Sequence, residues 1–385
     1  MGVISRLARF AAVRPPVFVV TAPGGTAVRL AVEAVLRERG WRSVASPAAC
    51  SVLVVCGRPG PDLEQAIDRV WNEVPPPRAR IRAVAPEREH LLPLLEQAEH
   101  ELADLRRHRV LRAEENLAEE QGGHQEFGHE HHDGHGKSGH GHHGGKVAGL
   151  DMAGQGADRD GLKLDVLHVQ LGPVLADWPT GLVVRTEMQG DVVQRAEVET
   201  CAGVGGGSFW TEPWAAARDG EPVARGAAER RRAARCLDTL GRLLSVAGWP
   251  RAAGQARWLR DDLLADHPPE RLAPRFAQLS DSVLRSRTLR WMLRDLGPID
   301  AASALLVGDA ADRLYALLVE ARTAMDLLGD PTPLDPADEA RGVPGAVPVS
   351  LLPGLLAGAD LGAARLIVAS LDPDLDRPAA VAVHA

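Results

Sequence analysis

Cysteine is scarce in this chain and poorly spaced for metal chemistry. The four cysteines, Cys50, Cys56, Cys201 and Cys236, include no CxxC pair. No local spacing therefore pre-positions two thiolates for an iron–sulfur cluster. They read as small, mostly buried thiols of a reducing compartment. Long apolar runs are missing too. The nearest, Val347–Ser370, is broken by Pro353, Asp360 and Arg365, so no transmembrane helix is expected. The N-terminal stretch MGVISRLARFAAVRPPVFVV is interrupted by Pro15-Pro16 and makes a poor secretory signal. Basic charge is in deficit: the net charge of −8 argues against nucleic acid as the main partner. The turn Ala22-Pro23-Gly24-Gly25-Thr26 stands where a helix N-terminus could take a phosphate. It lacks both the Lys-Ser/Thr of a P-loop and the three-glycine dinucleotide fingerprint, and reads as a tight strand-to-helix turn.

What the chain has in excess is histidine in one place. His124, His129, His131, His132, His135, His140, His142 and His143 are eight of its 14 histidines. Glycine pairs bracket them, and the run contains almost no apolar residue, so it cannot build a core and is expected to be a disordered linker. Glu126, Glu130 and Asp133 stand among these imidazoles. Such a cluster binds Zn²⁺, Ni²⁺ or Cu²⁺ weakly and without selectivity, because nothing rigid fixes its geometry. A structural zinc site needs fixed ligands and supporting hydrogen bonds, which a glycine-rich loop does not supply.

At 385 residues the chain fits two domains and a linker. Residues 17–120 alternate strands and helices: a strand at Val17–Val20, a helix over 27–39 with Leu30, Val32, Val35 and Leu36 on one stripe, and an apolar strand, Ser51–Cys56. A helix at Asp62–Val74, a strand at Arg80–Ala85 and a long charged helix from Glu87 towards Glu120 follow. This predicts an open, doubly wound parallel sheet. Beyond the linker, Gly161–Gln170 alternates as a strand, and Leu182–Met188 with Val192–Val198 reads as a hairpin around Gln189-Gly190-Asp191. Helices follow at 227–247, 251–265, 270–294 and 309–328, then a short final αβ piece. The expected fold class is α/β plus α+β, with an α/β domain at 1–120, a His/Gly-rich linker at 121–160 and a β-plus-helical domain at 161–385. Helical Arg, Asp and Glu are read as solvated i,i+4 faces, and His168, alternating with an apolar strand face, as structural. No internal repeat is visible.

Several of these segments resemble a known family in order and spacing. Ser46–Gly57 (SPAACSVLVVCG), with the helix running to Arg69-Val70-Trp71-Asn72-Glu73-Val74-Pro75-Pro76-Pro77-Arg78, resembles the small iron–sulfur subunit of respiratory complex I and energy-converting [NiFe]-hydrogenases. Leu171-Gly172-Pro173, Gly181–Arg185 and Gln189–Val193 resemble the N-terminal sheet of the large catalytic subunit of the same complexes. Gly308-Asp309 to Arg313 with Glu320 resembles its GD…R…E helix, and Ser370-Leu371-Asp372 with Asp376-Arg377 its C-terminal motif. The resemblance implies a flavodoxin-like first domain and a second domain like the hydrogenase large subunit, fused in one chain. It also implies cofactor ligands that this chain lacks. Gly24-Gly25 stand where adjacent cluster cysteines belong, and the CxxC pairs for nickel and iron are missing. Leu175 or a neighbour replaces the quinone-facing histidine, and Glu199–Gly203 has no His-Arg.

The first functional expectation is a redox-degenerate, fused peripheral subunit of a complex I-like membrane oxidoreductase, structural or coupling in role. Its partners would be membrane subunits, and its place the cytoplasmic inner face of the membrane. No [4Fe–4S] or nickel–iron cofactor is expected, only weakly bound Zn or Ni, and no catalytic residue is assigned. A second expectation keeps NADH:quinone-type or hydrogenase-type oxidoreductase chemistry, with ligands from Cys50, Cys56 or a partner chain. A third is a Ni/Zn-handling protein acting through the histidine run.

Overall fold

The computed structural model describes residues 14–104, 146–147, 150–151, 154–157, 163–201, 207–299, 307–340 and 348–376. The eight clustered histidines fall outside them, as does Arg377. The chain is mixed α/β: a parallel sheet first, then a small antiparallel sheet and a helical bundle.

Strands β1 (Val17–Thr21), β2 (Val52–Cys56) and β3 (Ala79–Ala83) pair in parallel in that order. The central strand β2 is buried at all five positions, which is why VLVVC is apolar without alternation. Side chains alternate between two cores. Val17, Val52, Val54, Ala79 and Ile81 face helices α1 (Thr26–Arg39) and α3 (Arg88–Ala103). Phe18, Val20, Leu53 and Val55 face α2 (Pro61–Glu73). Helices therefore cover both faces, the doubly wound layering expected from the strand–helix alternation.

Within the stretch expected to be linker, short strands β4 (Lys146–Val147), β5 (Leu150–Asp151) and β6 (Gly154–Ala157) are present. Strand β6 joins β7 (Lys163–Leu171), β8 (Leu182–Gln189) and β9 (Val192–Thr200) in one antiparallel sheet. Gly190, at φ +60, makes the β8–β9 turn, where the left-handed backbone favours glycine. His168 is not a core histidine. It is exposed, opposite Glu187 in the β7–β8 ladder.

Helices α4 (Glu212–Arg218), α5 (Arg225–Val246), α6 (Pro250–Leu264), α7 (Pro269–Arg285), α8 (Arg287–Leu293) and α9 (Ala310–Asp326) form the bundle. The helix expected over 270–294 is two helices. Ser286 adopts extended backbone, and its hydroxyl accepts from Leu289 N–H as the cap of α8, a competition that serine wins at helix starts. Helices α10 (Leu352–Leu356) and α11 (Leu361–Leu371) close the chain against the antiparallel sheet. No strand follows them among the described residues, so the final piece is helical there.

Helix α5 is the axis of the bundle. Every residue from Arg232 to Leu244 is buried, so no face is left for solvent. Its Leu237, Leu240, Leu243 and Leu244 pack with Ala253, Ala256 and Leu259 of α6 and Leu314, Leu317 and Leu318 of α9. Arg235, Asp238 and Arg242 are carried into the same interior, where an ionised group is tolerated only when paired.

Candidate functional site: the junction of the two halves

The partner of Asp238 across the junction lies on α1, more than 200 positions earlier in the chain. Helix α1 is amphipathic in two directions. Val28, Val32, Val35 and Leu36 face its own sheet. Arg29, Glu33 and Arg37, spaced at i, i+4 and i+8, face the bundle, and Leu30 packs into the bundle core. Leu30 therefore leaves the stripe in which the periodicity places it.

Arg29 grips Asp238 with both terminal nitrogens, at 3.1 and 2.7 Å, and Glu33 at 3.1 Å. Arg260 of α6 reaches Asp238 at 2.5 Å, Glu33 at 2.8 Å and Asp261 at 2.6 Å. Arg37 lies 3.3 Å from both Asp261 and Asp262. Arg242 lies 3.5 Å from Asp238 and 3.2 Å from Asp372. The Arg260 and Asp238 side chains are each only 1% exposed, so the expectation that helical charges form solvated faces is wrong at this place. The signal in the sequence is the i, i+3, i+7 spacing of Arg235, Asp238 and Arg242 on α5. It cannot be told from a surface face until the whole helix is known to be buried.

Burial raises the carboxyl of Glu33, but Arg29 and Arg260 outweigh it and hold the group down at about 2. Asp238 is likewise driven up by burial and pulled well below the carboxylate range by Arg29, Arg242 and Arg260. Burial wins at Asp261 and Asp376, which are both raised. A depressed carboxylate contributes stability that is complete above its unfolded value near 4.5 and lost as pH falls towards its folded value. The melting temperature is therefore expected to drop between about pH 4.5 and 2, with Asp261 and Asp376 opposing the trend. Thermal unfolding across that range tests this. Glu33→Gln should lower the melting temperature at pH 7 and flatten the acid slope.

The C-terminal segment that resembles the large-subunit motif ties these elements together. Ser370 accepts from Arg313 Nε at 3.0 Å, while Arg313 also donates to the carbonyls of Leu296, Gly297 and Gly308. Burial pushes Arg313 down to about 10. Asp309 caps α9 in a reciprocal capping box with Asp312. Glu320 lies 3.6 Å from Arg232. Asp372 accepts from Thr239 at 2.7 Å and from Arg242 at 3.2 Å, and its carbonyl accepts from Arg235 at 2.6 Å.

Asp376 then reaches the first strand-to-helix turn. Its carboxylate accepts from Gly24 N–H at 2.8 Å and from the Thr26 hydroxyl at 3.4 Å. The anion that the α1 N-terminus attracts is thus supplied by the chain's own C-terminal segment. The turn is closed from within as well. A Cβ on Gly25 would lie 2.4 Å from the Cys56 carbonyl oxygen and 2.8 Å from that of Ala22. A Cβ on Gly57, which sits at φ +91, would lie 2.9 Å from the Gly25 Cα.

The loop between β7 and β8 fills the remaining side. Val174 and Ala176 pack on the α/β core with Phe18 and Val20, and Leu175 on the core of the antiparallel sheet. Gly172 is held under Trp178, whose indole donates to Leu182 O at 2.8 Å. Where the resemblance implies a quinone-facing histidine, an apolar loop joins two cores.

Burial pushes the Cys50 thiol up to about 11 and also raises Cys56, Cys201 and Cys236. Among the described residues, no three His, Cys, Asp or Glu side chains converge as a metal site. No helix of the described residues is long and apolar enough to cross a membrane.

No family model and no curated protein matches this chain. Among solved structures, the chain is similar to one from the membrane-bound sulfane sulfur reductase, an archaeal respiratory membrane complex. The likeness covers 55% of this chain and 99% of that one, at 16% identity and a TM-score of 0.41.

Proposed function

We propose that this protein is a fused peripheral subunit of a complex I-like membrane assembly, retaining the scaffold of the small and large catalytic subunits without their electron path. Its role is structural or coupling, on the cytoplasmic inner face of the membrane, and its partners are the membrane subunits of the assembly. The supporting observation is the seat of Asp376. The segment that resembles the C-terminal motif of the large subunit places its carboxylate on the turn where the small one would carry cluster cysteines. Two of the segments that carry the resemblance also meet, through Arg313–Ser370.

Fusion and a buried ionic junction suit a part that must hold a fixed one-to-one geometry. The test is affinity purification of the tagged chain from detergent-solubilised membranes of its own cell, with the captured proteins identified. Capture of polytopic membrane proteins of the antiporter type is the expected outcome, and a preparation free of membrane proteins would refute the assignment. The histidine run is a spacer in this account. Deleting residues 122–145 should leave that capture intact, whereas a metal-dependent growth defect in the deletion strain would favour nickel or zinc handling.

A further inference from the structure

Helix α8 turns one face into the bundle and presents a chemically distinct face to solvent. Leu289 and Leu293 are buried in the bundle core, with Met292 packed against it. Arg287, Arg290, Trp291 and Arg294 follow at i, i+3, i+4 and i+7, which places them on one side. All four are exposed, and Trp291 at 76% is the most exposed large apolar side chain among the described residues. Leu284 and Arg285, also exposed, extend the patch onto the last turn of α7. Residues 284–294 hold four arginines and no acidic residue, in a chain whose net charge is −8.

The arginines are little engaged. Arg285 pairs with Asp281 in an exposed i,i+4 bridge, a weak interaction. Arg290 donates to the Leu284 carbonyl. Arg287 and Arg294 have no carboxylate partner among the described residues.

From this patch we infer that α8 is a docking face for the headgroup layer of an anionic lipid bilayer. An indole ringed by guanidiniums matches that layer in two respects. The amphipathic ring sits at headgroup depth, while guanidiniums pair with lipid phosphates. The face is one short helix, too small for a basic track along a nucleic acid. The lipid contact goes beyond the proposed protein partners, because it is made by the chain alone.

The test uses the full-length protein and vesicles of phosphatidylcholine with or without phosphatidylglycerol, read by sedimentation. Binding is expected only with phosphatidylglycerol, and it should weaken as salt is raised. The triple variant R287Q/R290Q/R294Q should bind on the order of 100-fold more weakly, about fivefold per arginine. Trp291→Ala should bind about tenfold more weakly, and both variants should keep the wild-type circular dichroism. No binding, equal binding to neutral vesicles, or unchanged binding by the triple variant would overturn the inference. Capture of duplex DNA or of an acidic protein in place of lipid would overturn it equally. The lipid and salt dependence of the wild-type chain decides the matter even if a variant misfolds. The vesicles carry no membrane subunits, so this result and the detergent capture fail or succeed separately.

Discussion

Replacing Asp238 by alanine is expected to destabilise the protein by about 3–5 kcal/mol, the range for removing one partner from a buried ionic group. Three guanidiniums, those of Arg29, Arg242 and Arg260, lie within 3.5 Å of this carboxylate. The substitution leaves all three in the interior without it. Asp238→Asn should cost nearly as much, because the amide restores shape but not charge. Urea denaturation followed by circular dichroism measures both. A double-mutant cycle with Arg29→Ala separates the contact across the junction from the rest. Arg29 and Asp238 are 209 positions apart, and their coupling should be about 1–3 kcal/mol. A coupling near zero would mean that α1 does not dock on α5 in solution.

The network does not need to add net stability to matter. A well-packed apolar replacement of a buried ion pair is often as stable or more so. What the charges fix is register. Sliding α1 along α5 strands Arg29 or Arg260 in an apolar interior, so one arrangement of the halves is selected against its neighbours.

The second large effect is expected at Gly25. Gly25→Cys introduces the residue that the family resemblance implies near this turn, and it should cost about 3 kcal/mol or more through overpacking. The new Cβ would lie 2.4 Å from the backbone oxygen of Cys56, and a main-chain oxygen cannot rotate aside as a side-chain tip could. Gly25→Ala should be almost as damaging, which separates the steric cause from thiol chemistry. Gly254 serves as the control. It lies inside α6 with open space around its would-be Cβ, and Gly254→Ala should stabilise by about 0.5–1 kcal/mol. Thermal unfolding of the three variants suffices to rank them.

Much of the fold is legible in the sequence because its elements carry strong local signals. VLVVC reads as a buried strand by its unbroken apolar run, and the β8–β9 hairpin by its alternation around Gln189-Gly190-Asp191. Helix ends fall within a few residues of the glycine and proline signals. The break at Ser286 is a cap concealed inside a continuous apolar period, since α7 and α8 carry it on either side. The absence of cysteine at Gly24 and Gly25, where the resemblance implies cluster ligands, is visible directly.

The junction is not legible, for a physical reason. Arg29, Glu33 and Arg37 at i, i+4 spacing look the same on a solvated face as on a buried one. Only tertiary contact reveals that both ends of each pair are inside. Leu30 reads as part of the wrong side of α1 because two apolar contacts on opposite faces of one helix blur into a single broad stripe. The role of Asp376 depends on a segment near the C-terminus returning to the first turn of the chain, and sequence spacing contains no trace of such a return.

The central claim is that the scaffold of two subunits persists here without its electron carrier. Iron and acid-labile sulfide analysis of the full-length protein, purified anaerobically, tests it most directly. The account predicts a colourless protein with iron far below one atom per chain. A brown protein with stoichiometric iron and sulfide would contradict it.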